Sequence, residues 1–149
     1  MIGNPQKFLN LGMIDSQNDD LKEDSYYHLQ IVGIYYTNNG EYLSKLPSKT
    51  EFELRPEPNN AYDRFAVSVW HDTRKLGYLP RNKNKPFFNA IFSTKLILTC
   101  ILGCYIPRSG NFHYKGRFQP ERANITIHTY RNEITWRPVN LLPEDSMAF

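Results

Sequence analysis

The chain has 149 residues, of which 40% are hydrophobic and 14% aromatic, enough for one domain with a real core and too apolar for a wholly disordered polypeptide. No apolar run of about 18 residues occurs, which excludes a membrane-spanning helix. The net charge of +3 is unevenly placed: residues 74–122 carry ten bases against Glu121 alone, whereas acids outnumber bases elsewhere, so the basic stretch is either a footprint for an anion or a solvated face.

Residues 1–24 are polar and acidic and read as a poorly ordered lead-in. No apolar run follows the first charge, so the start does not read as a secretory signal. Two cysteines are too few for a disulfide scaffold, and Cys100 and Cys104, four apart in a strand, share a face at a distance that cannot be bridged. The expectation is a cytoplasmic protein with two buried, reduced thiols.

A strand is expected from Ser25, where Tyr27, Leu29, Ile31 and Gly33 alternate with His28, Gln30 and Val32. Asn38-Asn39-Gly40 signals a turn, and residues 41–44 form a helical turn or loop. Residues 50–54 alternate with Phe52 and Leu54 inward, before Pro56, Pro58, Asn59 and Asn60 break the strand. Residues 65–70 and 75–79, joined by Asp72-Thr73-Arg74, read as a hairpin that Pro80 ends. Residues 82–94 are the best helix, starting as late as Pro86, with Phe87, Phe88, Ile91 and Phe92 at core-facing spacing.

Residues 95–105 are the most apolar strand. Leu96, Leu98, Cys100, Leu102 and Cys104 take one face and Ile97 and Ile101 the other, which suits a central position under a helix or inside a barrel. Residues 106–120 form a long loop. Residues 124–128 make the last strand with Ile125 and Ile127 inward, and the tail after residue 131 reads as coil. The expected architecture is therefore mainly β: a small six-stranded, OB-like, partly closed barrel over residues 25–130 with one or two short helices, flanked by the lead-in and a C-terminal tail at 131–149.

No catalytic signature is present. His28, His71, His113 and His128 form no zinc-spaced pair, and no nucleophile elbow or phosphate-binding glycine loop occurs. Asp63 differs from the other acids because it follows the turn Pro58-Asn59-Asn60-Ala61-Tyr62. Such an Asp commonly braces its own turn, and a neighbouring tyrosine such as Tyr62 can plug a barrel.

In this region the chain resembles the HIRAN family. Val32-Gly33-Ile34-Tyr35-Tyr36 supplies its Val-Gly and tyrosine element, and Glu57-Pro58-Asn59-Asn60-Ala61-Tyr62-Asp63 its turn. Ala66-Val67 and Leu76-Gly77-Tyr78-Leu79-Pro80-Arg81 follow in order, so the resemblance spans residues 26–129. That family occurs within fork-remodelling ATPases of the Swi/Snf class and as small stand-alone proteins, as this chain is expected to be. The resemblance implies a modified OB barrel that captures the free 3′ end of single-stranded DNA. Tyr62 would stack on the terminal base, Asp63 would accept a hydrogen bond from the 3′-hydroxyl, Tyr36 would be the second stacking aromatic, and Arg81 would contact phosphate where the family has lysine. Phe112 falls about where the family has an aromatic at the duplex junction. The chain departs from the family at Tyr35, where an arginine is usual, at Tyr78, where a histidine is usual, and at Ala61, where a proline is usual. A slip of one residue would exchange Tyr35 and Tyr36.

The residues suit that role. Aromatic faces stack on any base, and cations neutralise phosphates; Lys83, Lys85, Arg108, Lys115 and Arg117 are the further candidates for backbone contact. A carboxylate would repel phosphate, so Asp63 makes sense where a hydroxyl ends the strand and a 3′-phosphate is to be rejected. The sequence thus points to a non-catalytic single-stranded DNA-binding module with no cofactor and no metal. A protein partner could dock through the acidic lead-in or the tail. Two rivals remain: an interaction module that has lost end binding, and a phosphate-processing enzyme, which would need carboxylates clustered for metal ions about 4 Å apart.

Overall fold

The computed structural model describes residues 20–109 and 119–134. The alternation read at Ser25 becomes strand β1 (Ser25–Ile31), whose Tyr27, Leu29 and Ile31 are buried. The chain then forms two short helices, α1 (Ile34–Thr37) and α2 (Gly40–Ser44). Strands β2 (Glu51–Glu57), β3 (Ala66–His71) and β4 (Arg74–Tyr78) follow. Helix α3 (Lys85–Ser93) leads into the long strands β5 (Leu96–Ile106) and β6 (Arg122–Arg131). The six strands are antiparallel in the order β1-β6-β5-β2-β3-β4 and curl into a half-barrel. The fold is mainly β and OB-like as expected, with three short helices rather than one or two.

The curl nearly closes. Val32, just past β1, exchanges both backbone hydrogen bonds with Tyr78 at the end of β4 (2.8 and 2.9 Å). That bridge joins the two edges of the sheet and covers backbone groups that would otherwise be open. Gly77 is required there, because a Cβ would overlap the Val32 carbonyl oxygen and the Ile31 side chain. Gly33, at φ +83°, takes the left-handed conformation that turns the chain from the bridge into α1.

The opposite seam is short. Only Glu51 and Phe52 of β2 pair with β5, and the strands then part. Pro56, expected to break β2, instead stays within it opposite Val67. From Glu53 onward β2 has a partner on one side only, a position where a residue without an N–H is tolerated. The core between the sheet and α3 holds Ile34, Leu43, Val67, Val69, Leu76, Leu79, Phe87, Leu102, Ile125 and Ile127.

Two expectations about the core are corrected. Cys104 is exposed, not buried beside Cys100. The register of β5 against β6 shifts between Leu102 and Cys104, and this bulge changes which face the following residues take. Both thiols are free, and burial pushes that of Cys100 up to about 12. Phe92 is also exposed, its ring tilted against that of Phe88 at 4.9 Å. The Asn38-Asn39-Gly40 signal proves to be a joint between helices. Asn38 caps α1 in the left-handed region, while buried Asn39 donates to the Lys75 carbonyl (2.7 Å) and accepts from Arg74 (3.0 Å), tying the helices to β4.

Among the described residues no helix is long and apolar enough to cross a membrane.

Candidate functional site

The site is built on the loop between β2 and β3. The Asn60 side-chain oxygen accepts the backbone N–H groups of Tyr62 (2.8 Å) and Asp63 (3.0 Å), which makes an Asx turn. That turn pushes Tyr62 outward until it is 86% exposed and turns Asp63 inward, with 18% of its side chain exposed. Asp63 Oδ1 accepts the Phe65 N–H at 2.9 Å, and Oδ2 accepts the Asn84 side-chain amide at 2.7 Å. The Arg81 Nε stands 4.0 Å from Oδ2. An ionised carboxylate has about four acceptor positions, so these two hydrogen bonds orient Asp63 while leaving acceptor capacity for another donor. Asn60, Tyr62, Asp63, Arg81, Asn82 and Asn84 line one open cleft with Ala61, Arg64 and Phe65.

Asn84 is not among the residues the sequence singles out; it falls only within the segment 82–94 expected to be helical. It does sit just before α3, but its side chain makes no capping bond. It is fully buried and spends its amide N–H on Asp63, while its own Oδ1 has no hydrogen-bond partner. Nothing in local sequence pattern says that a residue 21 positions away serves the Asp63 carboxylate.

Beside the cleft lies a second carboxylate. Glu57 Oε2 pairs with Lys75 (2.9 Å), and Oε1 accepts from Asn60 (3.0 Å) and the Tyr78 hydroxyl (3.1 Å). Lys75 also donates to the Tyr78 oxygen at 2.9 Å. Burial pushes the Glu57 carboxyl up, but hydrogen bonds from Asn60, Lys75, Ser68 and Tyr78 outweigh it and hold the group at about 2. Burial likewise lowers Lys75, and Tyr78 with Glu57 outweighs it, so the ammonium is raised. Tyr78 is thereby a brace behind the Asn60 turn, and it does not line the cleft.

The other candidates separate. Tyr35 and Tyr36 lie on α1, strongly exposed and edge-to-face at 5.4 Å. They are tied to the site through the Val32–Tyr78 bridge but are not part of the cleft lining. Tyr36 is the more exposed, at 88% against 60%. Lys85 stands 5.0 Å over the Phe65 ring, on the cleft wall. Lys83 belongs to a neighbouring groove. Arg108 is exposed beyond the end of β5 and acts on Tyr105, away from the cleft. Phe112, Lys115 and Arg117 lie outside the described residues.

Residues 25–130 match the family profile described as "HIRAN domain". The chain belongs to the HIRAN family. The crystal structure of the HIRAN domain of human HLTF is similar over 72% of this chain and 78% of that one, at 14% identity and a TM-score of 0.51, which shows a shared fold. A crystal structure of a protein from Lactobacillus plantarum aligns over 68% of this chain and 91% of that one, at 24% identity and a TM-score of 0.45. Comparison with curated proteins finds no match. In this HIRAN domain the family turn and the Gly-Tyr-Leu-Pro-Arg segment meet at the cleft, because Asp63 and Arg81 both line it, 4.0 Å apart.

Proposed function

We propose that this HIRAN domain binds single-stranded DNA without catalysis and captures its free 3′-hydroxyl end in the Tyr62–Asp63 cleft. The observation that carries this reading is Asp63 itself. Its carboxylate is held by Phe65 and Asn84, faces an open cleft and keeps acceptor capacity. A terminal hydroxyl can donate to it. A terminal phosphate would meet like charge in a partly desolvated site and be rejected.

Tyr62 offers an aromatic face for the terminal base, a contact worth about 1–3 kcal/mol in single-strand binders. Arg81 holds the phosphate that precedes the terminal sugar, a role supported by its exposure beside Asp63 and by Lys85 and Arg64, which lie over the Phe65 ring. Tyr36 is the better second stacking residue on exposure, with Tyr35 beside it. No group of three or more His, Cys, Asp or Glu side chains converges among the described residues, so they offer no carboxylate cluster of the kind metal-assisted phosphoryl transfer uses.

Fluorescence anisotropy tests this with a short labelled strand ending in 3′-hydroxyl and the same strand ending in 3′-phosphate, each at two salt concentrations. Salt-sensitive binding with a clear hydroxyl preference is expected. Equal affinities would remove Asp63 as the end sensor, and no binding to either would favour a protein-docking module.

A further inference from the structure

A second concavity adjoins the cleft. Its floor is the outward face of β1 and β6, where the register places His28 opposite Thr126 and Gln30 opposite Asn124. His28 Nδ1 and Thr126 Oγ1 are 3.1 Å apart. Its wall is the turn Pro80–Lys83, closed by the Lys83 N–H on the Pro80 carbonyl at 3.0 Å. Val32 lies at the end where the barrel edges meet. Asn82 lines both this groove and the Asp63 cleft, so the two are contiguous across one side chain.

The lining has a definite chemistry. Gln30, Asn82 and Asn124 each offer both donors and acceptors, His28 and Thr126 can do either, Lys83 adds one positive charge, and no carboxylate lines the groove. Amides that donate and accept side by side suit base edges, which an unpaired strand leaves open, better than phosphate, for which cations are the usual partners. A groove with no carboxylate in its lining is also one along which a phosphate backbone can run without meeting like charge.

The geometry points to this groove as the seat of the nucleotides 5′ of the terminal two, contacted through their base edges by Gln30 and Asn124 and through one phosphate by Lys83. The inference rests on the end-capture reading for its polarity: the strand terminates at Asp63, crosses Asn82 and continues along β1 and β6. It makes the footprint several nucleotides long and gives the domain a means of preferring some sequences next to the end.

The test uses oligothymidylates of two and eight nucleotides with 3′-hydroxyl ends. Affinity is expected to rise about tenfold or more from two to eight nucleotides, and the doubly substituted Gln30→Ala, Asn124→Ala protein is expected to lose most of that rise. In the unsubstituted protein, the side-chain amide NMR signals of Gln30 and Asn124 should shift with the eight-nucleotide strand and stay put with the dinucleotide. Equal affinity for both lengths, or unmoved amide signals at saturating eight-nucleotide strand, would overturn the inference. The end-capture reading is scored separately, by the hydroxyl-to-phosphate ratio on the dinucleotide alone, so either can fail while the other holds.

Discussion

Asp63 and Glu57 are two carboxylates on either side of one asparagine, and they do opposite things. Asn60 donates its side-chain N–H to Glu57, and its side-chain oxygen accepts the backbone N–H groups of Tyr62 and Asp63. Glu57 is fully engaged on both oxygens: a lysine, a tyrosine hydroxyl and an amide donate to it, and its charge is offset by Lys75. Asp63 is oriented by a backbone N–H and a neutral amide, and its one nearby cation is the mostly exposed Arg81 at 4.0 Å. A carboxylate bonded to three donors and neutralised by a lysine acts as a brace. One that is oriented but unfilled can receive a ligand.

Four measurements would break or sharpen that contrast. The largest effect is expected for Asp63→Asn. The preference for a 3′-hydroxyl over a 3′-phosphate should fall by about 10- to 100-fold, the scale of a hydrogen bond to a charged group. Its urea midpoint should barely move, because Asn84 can turn its unpartnered Oδ1 toward the new amide. A large loss of stability with an intact preference would reverse the roles assigned to the two acids.

Glu57→Gln should do the converse. Removing one partner of a partly buried ion pair is expected to cost about 1–3 kcal/mol in urea denaturation, between the exposed and buried limits. The hydroxyl preference of the folded protein should persist.

The same residue sets an acid signature. A carboxyl held at about 2 contributes stability that is present above its ordinary value near 4.5 and is lost as pH falls from there toward 2. The unsubstituted protein should lose stability across that window more steeply than Glu57→Gln. Parallel curves would mean that Glu57 is not the group responsible.

The smallest effect belongs to Arg81→Ala. A cation 76% exposed and 4.0 Å from its carboxylate should contribute under about 1 kcal/mol to stability. Its absence should lower the slope of log affinity against log salt by about one. An unchanged slope would mean that Arg81 contacts no phosphate.

The pattern of hydrophobic alternation carried most of the fold. Residues 25–31, the 65–79 hairpin, the apolar strand from Lys95 and the inward Ile125 and Ile127 all appear where periodicity places them. The misses share a cause. Pro56 reads as a strand break, yet a strand unpaired on one side accepts it. Cys104 reads as inward, yet a bulge that depends on the partner strand turns it out. Local chemistry cannot report what a neighbouring strand does.

The candidate site divides the same way. The turn residues Asn60, Tyr62 and Asp63 lie within four positions of one another, so their chemistry and the Asx turn that Asn60 makes are local properties of the chain. What the chain could not disclose by itself is which distant groups complete them: Asn84 reaching Asp63 from the start of α3, Lys75 and Tyr78 filling Glu57, and Val32 closing the barrel on Tyr78. Periodicity, turn chemistry and family pattern are short-range properties of a polypeptide, and they determined the fold class and the residues of the loop. Which carboxylate is fully engaged and which stays open to a ligand depends on contacts between elements far apart in sequence, and only the curled sheet decided that.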